Sequence, residues 1–344
     1  MADGMETLAT PKVKKRFGVN FNIALILILI ALIAVIGTVN PTFVTYNYLM
    51  AVVVKNIMEI GLMALPMTLI VITAGIDLSV GSIMIFSAIA GGMAAASMGD
   101  GMGVIVTLLV GAGCGLVNGL VIVKLKINAL ITTLATFFLF RGIAKGITHG
   151  DSVYSYDFTT FAGNTDIKGV PLVLIVFIAA AIIFTLLLSK TGFGRSLYAL
   201  GMNENATRYS GINADRTLII IYIISGVVCA IAAFFYLGRF TSVKFDVANS
   251  MNLKVVTVIV LGGTSILGGV GDMRGTIIAI FIIAVLNSGL TVMDIPIDVQ
   301  TIIQGTVLII SLIVYSILGE RAKKRRVIEV SKEDEPRLVD KAPA

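Results

Sequence analysis

Asp77 and Ser79 stand in the octet Gly75-Ile76-Asp77-Leu78-Ser79-Val80-Gly81-Ser82, within a run from Tyr48 to Ala96 that is otherwise apolar. A carboxylate at membrane depth is costly and needs a partner or water. The flanking Gly75 and Gly81 mark a helix break, which a membrane tolerates only where backbone is buried in protein or lines a cavity. Capping of the following helix by Asp77 and Ser79 is the simpler use of the same residues, and the two roles can coexist. Pro66, a few turns earlier, is expected to add a kink. Lys55 and Glu59 are four residues apart on one helical face, so the sequence pairs them with each other. Lys55 lies near enough to the end of its span to snorkel, which leaves the deeper Glu59 as a candidate pathway residue. Arg141 and Lys145 repeat that spacing on a segment that also carries Phe137, Phe138 and Phe140. Cations among aromatic rings can stack against and hydrogen-bond a sugar. Interhelical pairing and snorkelling explain them as well.

Covalent chemistry is poorly supplied. The chain holds one histidine, His149, and no tryptophan. No nucleophile–histidine arrangement or metal-ligand cluster can be assembled, which disfavours a membrane enzyme. No Gly-x4-Gly-Lys-[Ser/Thr] loop occurs, so the usual way of holding ATP is missing and no cofactor is expected on this chain. The glycines of 262–271 open onto an apolar segment, which argues against a dinucleotide site. Cys114 and Cys229 fall within apolar stretches and suggest no disulfide framework.

The elements that must position these residues are membrane helices. With 57% of 344 residues hydrophobic and 13% charged, the composition exceeds what a soluble core needs, and the fold class is all-α and polytopic. Ten spans are expected between residues 21 and 318. Among them are Tyr48–Ala74 and Ser79–Ala96 on either side of the break. Ile127–Ile147, Thr217–Leu237, a short Asn252–Gly263, and Val299–Leu318 follow. Residues 1–20 read as a cytoplasmic tail before a retained first span, and 319–344 as a charged cytoplasmic tail. Residues 148–169 read as a polar loop. Gly111, Gly115 and Gly119 recur every four residues, the pattern of close helix packing.

Orientation follows from Lys and Arg in the loops. With the N-terminus inside, sixteen basic residues flank the membrane on the cytoplasmic side against three outside, and both termini are cytoplasmic. The net charge of +6 is largely in the tails and one loop, so nucleic acid is not an expected partner and membrane lipid is. Residues 56–123 carry no Lys or Arg, so the second to fourth spans are oriented by parity alone. Five helices per half would invert the second half relative to the first. The glycine-rich breaks after spans two and eight do not superimpose on that offset.

The cytoplasmic loop 189–216 is the second informative stretch. Asn203 is placed to cap a short helix with Glu204 in its first turn, and Gly211 to end it. Such a helix has no apolar face to bury in lipid and suits docking into a groove on a soluble protein. An ordinary interfacial helix is the alternative.

Three spaced motifs, the 75–82 octet, the loop Thr191–Ile212 and Leu261-Gly262-Gly263-Thr264-Ser265-Ile266-Leu267-Gly268-Gly269, together resemble the permease subunits of bacterial ATP-binding-cassette importers for simple sugars. The resemblance covers about 47–318. It implies a fold akin to the vitamin B12 importer's permease, in the bacterial cytoplasmic membrane. It further implies a second permease copy or paralogue, a tandem-domain ATPase that binds the ATP and magnesium, and a solute-binding protein that delivers the sugar. The family's coupling helix maps onto 203–211, which assigns ATPase coupling to Gly194, Arg195, Asn203, Glu204, Ala206, Arg208 and Gly211. Asp77 and Ser79 would hold the break, and Glu59, Phe137, Arg141 and Lys145 would face the pathway. Many ribose-type members carry Glu-Leu-Asp where this chain reads Asn252-Leu253-Lys254. Asp298-Val299-Gln300-Thr301 is more similar to the rhamnose-type branch or its relative that imports a furanosyl autoinducer. The expected function is import of a monosaccharide such as ribose or rhamnose, or of that autoinducer. A carrier working without an ATPase is the competing class.

Overall fold

The structure, a computed structural model, describes residues 17–247, 251–311 and 313. Most of both tails and the end of the last expected span lie outside these residues. The described residues are mostly helical, with helices of unequal length. Seven are long and apolar enough to cross a membrane: α1 (Phe21–Val39), α4 (Val80–Met98), α5 (Asp100–Lys124), α6 (Ala129–Thr148), α8 (Leu172–Lys190), α11 (Ala214–Phe240) and α13 (Met273–Val292). An eighth candidate is the pair α2 (Tyr46–Val54) and α3 (Met58–Ile72), bent by 57°. The two remaining segments, α12 (Met251–Leu261) and α14 (Ile297–Ser311), are shorter. At 1.5 Å per residue α12 covers only about half of a ~30 Å hydrocarbon layer.

The bend falls at residues 55–57, between α2 and α3, and α3 continues as one helix through Pro66. The expected kink at the proline is therefore displaced eight or more residues upstream. Residues 148–169, read as a loop, carry the short helix α7 (Asp157–Asn164) and two-residue strands. Val153–Tyr154 pairs antiparallel with Ser242–Val243, and Asp166–Ile167 with Val170–Pro171. The second hairpin turns through Lys168 and Gly169, both at positive φ, the geometry two-residue hairpin loops favour.

Close packing of α5 on α11 follows the glycine spacing. A methyl group on Gly111 or Gly115 would overlap the carbonyl oxygens of Gly226 or Tyr222, and one on Gly119 would lie 3.0 Å from Ile219 Cα. Small residues let the two backbones touch, the main source of attraction between helices in lipid. α3 is the centre: all fifteen of its residues are buried, enclosed by α8, α11, α12 and α13. α1 packs on α13 and leaves Leu27 and Ile30 more than half exposed, as a lipid-facing surface requires.

The two ends of the bundle are distinct. At one end Asn22 Nδ2 donates to Asp272 (3.0 Å), and the turn after α3 meets the segments 192–211 and 262–271. At the other, Lys55 pairs with Asp166 (2.9 Å), and Phe158 N–H donates to Asp100 (3.0 Å). The break after α3 thus sits at the end that carries the basic loop, a placement the sequence reaches only by parity.

Candidate functional site

A cavity of about 590 Å³ lies at the end of the bundle opposite the basic loop. It is walled by helix termini: the start of α3 (Asn56, Glu59), the last turn of α11 (Tyr236, Arg239), α12 (Lys254), and the end of α13 with the turn into α14 (Ser288, Asp294, Gln300). Glu59 is 2% exposed and accepts from Arg239 Nε at 2.9 Å. Arg239 Nη1 also donates to Asn56 Oδ1 (2.6 Å), and its guanidinium lies over Phe240, 4.2 Å from the ring centroid. The expected Lys55–Glu59 pair does not form. The helix bends between the two residues, and Lys55 turns outward to Asp166 while Glu59 turns inward to Arg239.

The walls carry two acids, Glu59 and Asp294, and two bases, Arg239 and Lys254. A cavity with balanced charge, amides and hydroxyls has no net preference for an ion and many hydrogen bonds for a neutral polar solute. Ser288 Oγ, on its wall, is buried with no hydrogen-bond partner among the described residues.

Asp77 and Ser79 are both fully buried and lie outside the cavity wall. Asp77 Oδ1 accepts from the Ser79 N–H (2.8 Å) and from the Ser79 hydroxyl. Asn118 Nδ2 of α5 donates to Ser79 Oγ (2.8 Å), and Thr133 Oγ1 of α6 donates to the Ile76 carbonyl and accepts from the Leu78 N–H. These bonds hold the non-helical segment 73–79 between α5 and α6. Ser79 does not cap α4 through its side chain. The cap comes from another helix instead: the Gly81 N–H donates to Asn252 Oδ1 (2.8 Å). Position 252 therefore serves α4, and position 254 lines the cavity.

Arg141 and Lys145 form an aromatic–cationic cluster, though around Phe245. The Arg141 and Lys145 charges stand 5.6 and 5.3 Å from that ring's centroid, and Phe137 meets Phe138 edge-on. None of the three lines the cavity wall. Of the residues assigned to the pathway, only Glu59 does.

At the opposite end α9 (Gly192–Met202) leads into α10 (Glu204–Tyr209). Gly194 sits against the Leu187 and Leu188 carbonyls, too close for a side chain, while Arg195 points to solvent. Asn203 Oδ1 accepts from the Ala206 N–H (3.0 Å), and Gly211, at φ +82°, ends the segment. Arg208 bridges Glu204 (2.7 Å) and Asp215 (2.6 Å); its hydrogen bonds to Glu204 first and Asp215 second raise its pKa further above the ordinary arginine value. Tyr209 is 92% exposed. Behind α10, Tyr198 donates to the Gly271 carbonyl (2.8 Å). Burial, with the Asp272 carboxylate adding, pushes this hydroxyl up to about 12, so it remains a donor at neutral pH.

Arg239, Lys254, Asn287, Asp294 and Gln300 are the cavity residues that sequence reasoning missed. Each stands at the end of an apolar segment, where a polar side chain reads as interfacial. The available signal was Glu59 itself, because a buried acid needs a cation and Arg239 directly follows an apolar run.

A helical bundle with seven or eight helices long and apolar enough to cross a membrane is a multi-pass membrane protein. The chain belongs to the family described as branched-chain amino acid transport system / permease component, whose profile matches residues 48–312. It is 34% identical over 304 residues, 86% of this chain and 91% of the relative, to the autoinducer 2 import system permease protein LsrD of Escherichia coli K12. The same proteins of Shigella flexneri and E. coli O157:H7 match to the same extent. No solved structure matches the chain. The chain is thus a permease of a sugar-type import system, a multi-pass protein of the bacterial cytoplasmic membrane.

Proposed function

We propose that the chain is the membrane subunit of an ATP-driven importer for a neutral, monosaccharide-sized polyhydroxylated solute. The observation that carries this reading is the opposition of the charge-balanced cavity and the exposed helix α10 across the bundle. In this reading the cavity opens to the outside and receives solute from a binding protein. Helix α10 faces the cytoplasm, with both termini, and docks on an ATPase that binds ATP and magnesium; no chemistry occurs on this chain. All ten helical segments would then serve one permease fold like that of the vitamin B12 importer, paired with a second copy or paralogue. Glu59 belongs to the pathway, and Asp77 and Ser79 hold the break behind it. Arg141 and Lys145, which flank the Phe245 ring, and Phe137 on the same helix serve the pathway at the outer end.

The similarity to autoinducer 2 import permeases favours that furanosyl solute as a specific second candidate beside ribose and rhamnose. The test is uptake into vesicles that hold the permease with its ATPase and binding protein. Labelled ribose, rhamnose and autoinducer 2 are each offered with and without ATP, alongside ribose 5-phosphate as a charged control. ATP-dependent uptake of one neutral solute, with the phosphate refused, is expected. Equal uptake without the ATPase would replace this reading with a passive carrier.

A further inference from the structure

The end of α3 and the exposed helix α10 are joined by backbone, with no flexible side chain between them. The Gly269 N–H donates to the Ile72 carbonyl at 2.8 Å, where α3 ends. Gly201, in the last turn of α9, fills the space beside that bond. A methyl group there would overlap the Ile72 carbonyl oxygen and lie 2.5 Å from Gly269 N. Gly268, at φ +81°, closes the junction against Ala74, itself at φ +64°. Tyr198, one turn before Gly201, fastens α9 to the Gly271 carbonyl (2.8 Å). The end of α3, just before the 75–82 octet, therefore meets the other two glycine-marked motifs at one point. α10 begins three residues after Gly201.

From this point α3 runs about 20 Å through the core to Glu59 and the Glu59–Arg239 pair. It is interrupted at both ends: by the 57° bend at 55–57 and by the non-helical segment 73–79 held at Asp77. A rigid helix between two breaks is able to shift as a unit, because the flanking residues absorb the change in φ and ψ.

We propose that Gly201 is a positioning residue of the transport cycle, the point at which movement of α10 enters the bundle, and that α3 carries the movement to the cavity at Glu59. The inference rests on the ATP-driven reading above.

The test uses the permease–ATPase complex in lipid nanodiscs with a single accessible cysteine introduced by Thr291→Cys on the cavity wall; the native Cys114 and Cys229 are buried. The probe is a membrane-impermeant maleimide, and its rate of labelling is compared without nucleotide and with ATP and vanadate. For the otherwise wild-type complex a change of several-fold is expected. Absence of any change there overturns the ATP-driven reading itself. In Gly201→Ala the ATPase is expected to co-purify and hydrolyse ATP while the labelling change is lost. Gly113→Ala, where a methyl group meets open space, is expected to keep it. A full labelling change in Gly201→Ala would overturn the proposal. Should Gly201→Ala fail to assemble, Tyr198→Phe removes one fastening of the same junction with little change of shape. It is then expected to lower the labelling change per ATP hydrolysed, and an unaltered ratio would overturn the proposal.

Discussion

Arg239, in the last turn of α11, closes on Glu59, in the first turn of α3, at 2.9 Å across 180 residues of sequence. The bond ties the two most central helices together beside the cavity and supplies the countercharge that a buried carboxylate needs. It explains why Glu59 is tolerated at 2% exposure.

Breaking that pair from one side leaves the other charge buried. Arg239→Met is expected to cost about 3–5 kcal/mol, and Glu59→Gln somewhat less, since an amide can still accept from the guanidinium. The double variant should be less damaged than the sum of the two, because the residues share one interaction. Thermal midpoints of the solubilised protein, measured as a double-mutant cycle, check this; strict additivity would mean the pair contributes nothing.

At the break, Asp77→Leu removes the acceptor for both Ser79 donors and should destabilise by about 1–3 kcal/mol per orphaned group. Asp77→Asn retains an acceptor oxygen in the same place and is expected to assemble normally. Expression and monodispersity of the two variants by size-exclusion chromatography separate them.

Position 252 tests the cap supplied across helices. Asn252→Ala leaves the Gly81 N–H unsatisfied at the start of α4 and should lower stability by about 1 kcal/mol. Asn252→Asp, which restores an acceptor, should recover most of the loss. Equal melting of all three proteins would show that the bond is immaterial.

The outer face of α10 carries no such structural duty. Arg208 and its acidic partners are exposed, so Arg208→Ala is expected to change stability by less than about 1 kcal/mol. Tyr209→Ala, at a site 92% exposed, should leave the fold untouched. If α10 docks on the ATPase, both variants will nonetheless lose co-purified ATPase several-fold at unchanged thermal midpoint. Retention of the ATPase would detach α10 from that role.

Packing between α5 and α11 is the least forgiving feature. Gly115→Leu forces a side chain into the Tyr222 carbonyl, with backbone on both sides and no room to yield. It should abolish folded protein, whereas Gly113→Leu, two residues away and facing open space, should be neutral. Yields of the two variants after solubilisation give the answer.

Hydropathy and residue spacing alone determined the membrane class, the long apolar helices, the glycine seam along α5, a helix break at Asp77 and the Asn203 cap of α10. All of these depend on properties local to a few turns: apolar run length, small residues at every fourth position, and a capping side chain three residues from the N–H it satisfies. Tertiary structure alone decided the partners. Lys55 and Glu59 look like a pair because they are four apart, yet a bend between them sends one to Asp166 and the other to Arg239. Ser79 looks like the cap of α4, yet Asn252 supplies it from a distant helix. The cavity is assembled from the ends of four helices, where each polar residue by itself reads as an interface anchor, and the glycine junction joins segments that nothing in sequence proximity connects. The physical reason is common to these cases. In an apolar surrounding a buried charge or unpaired N–H must find its partner wherever the packing brings one, and packing is a property of the whole bundle.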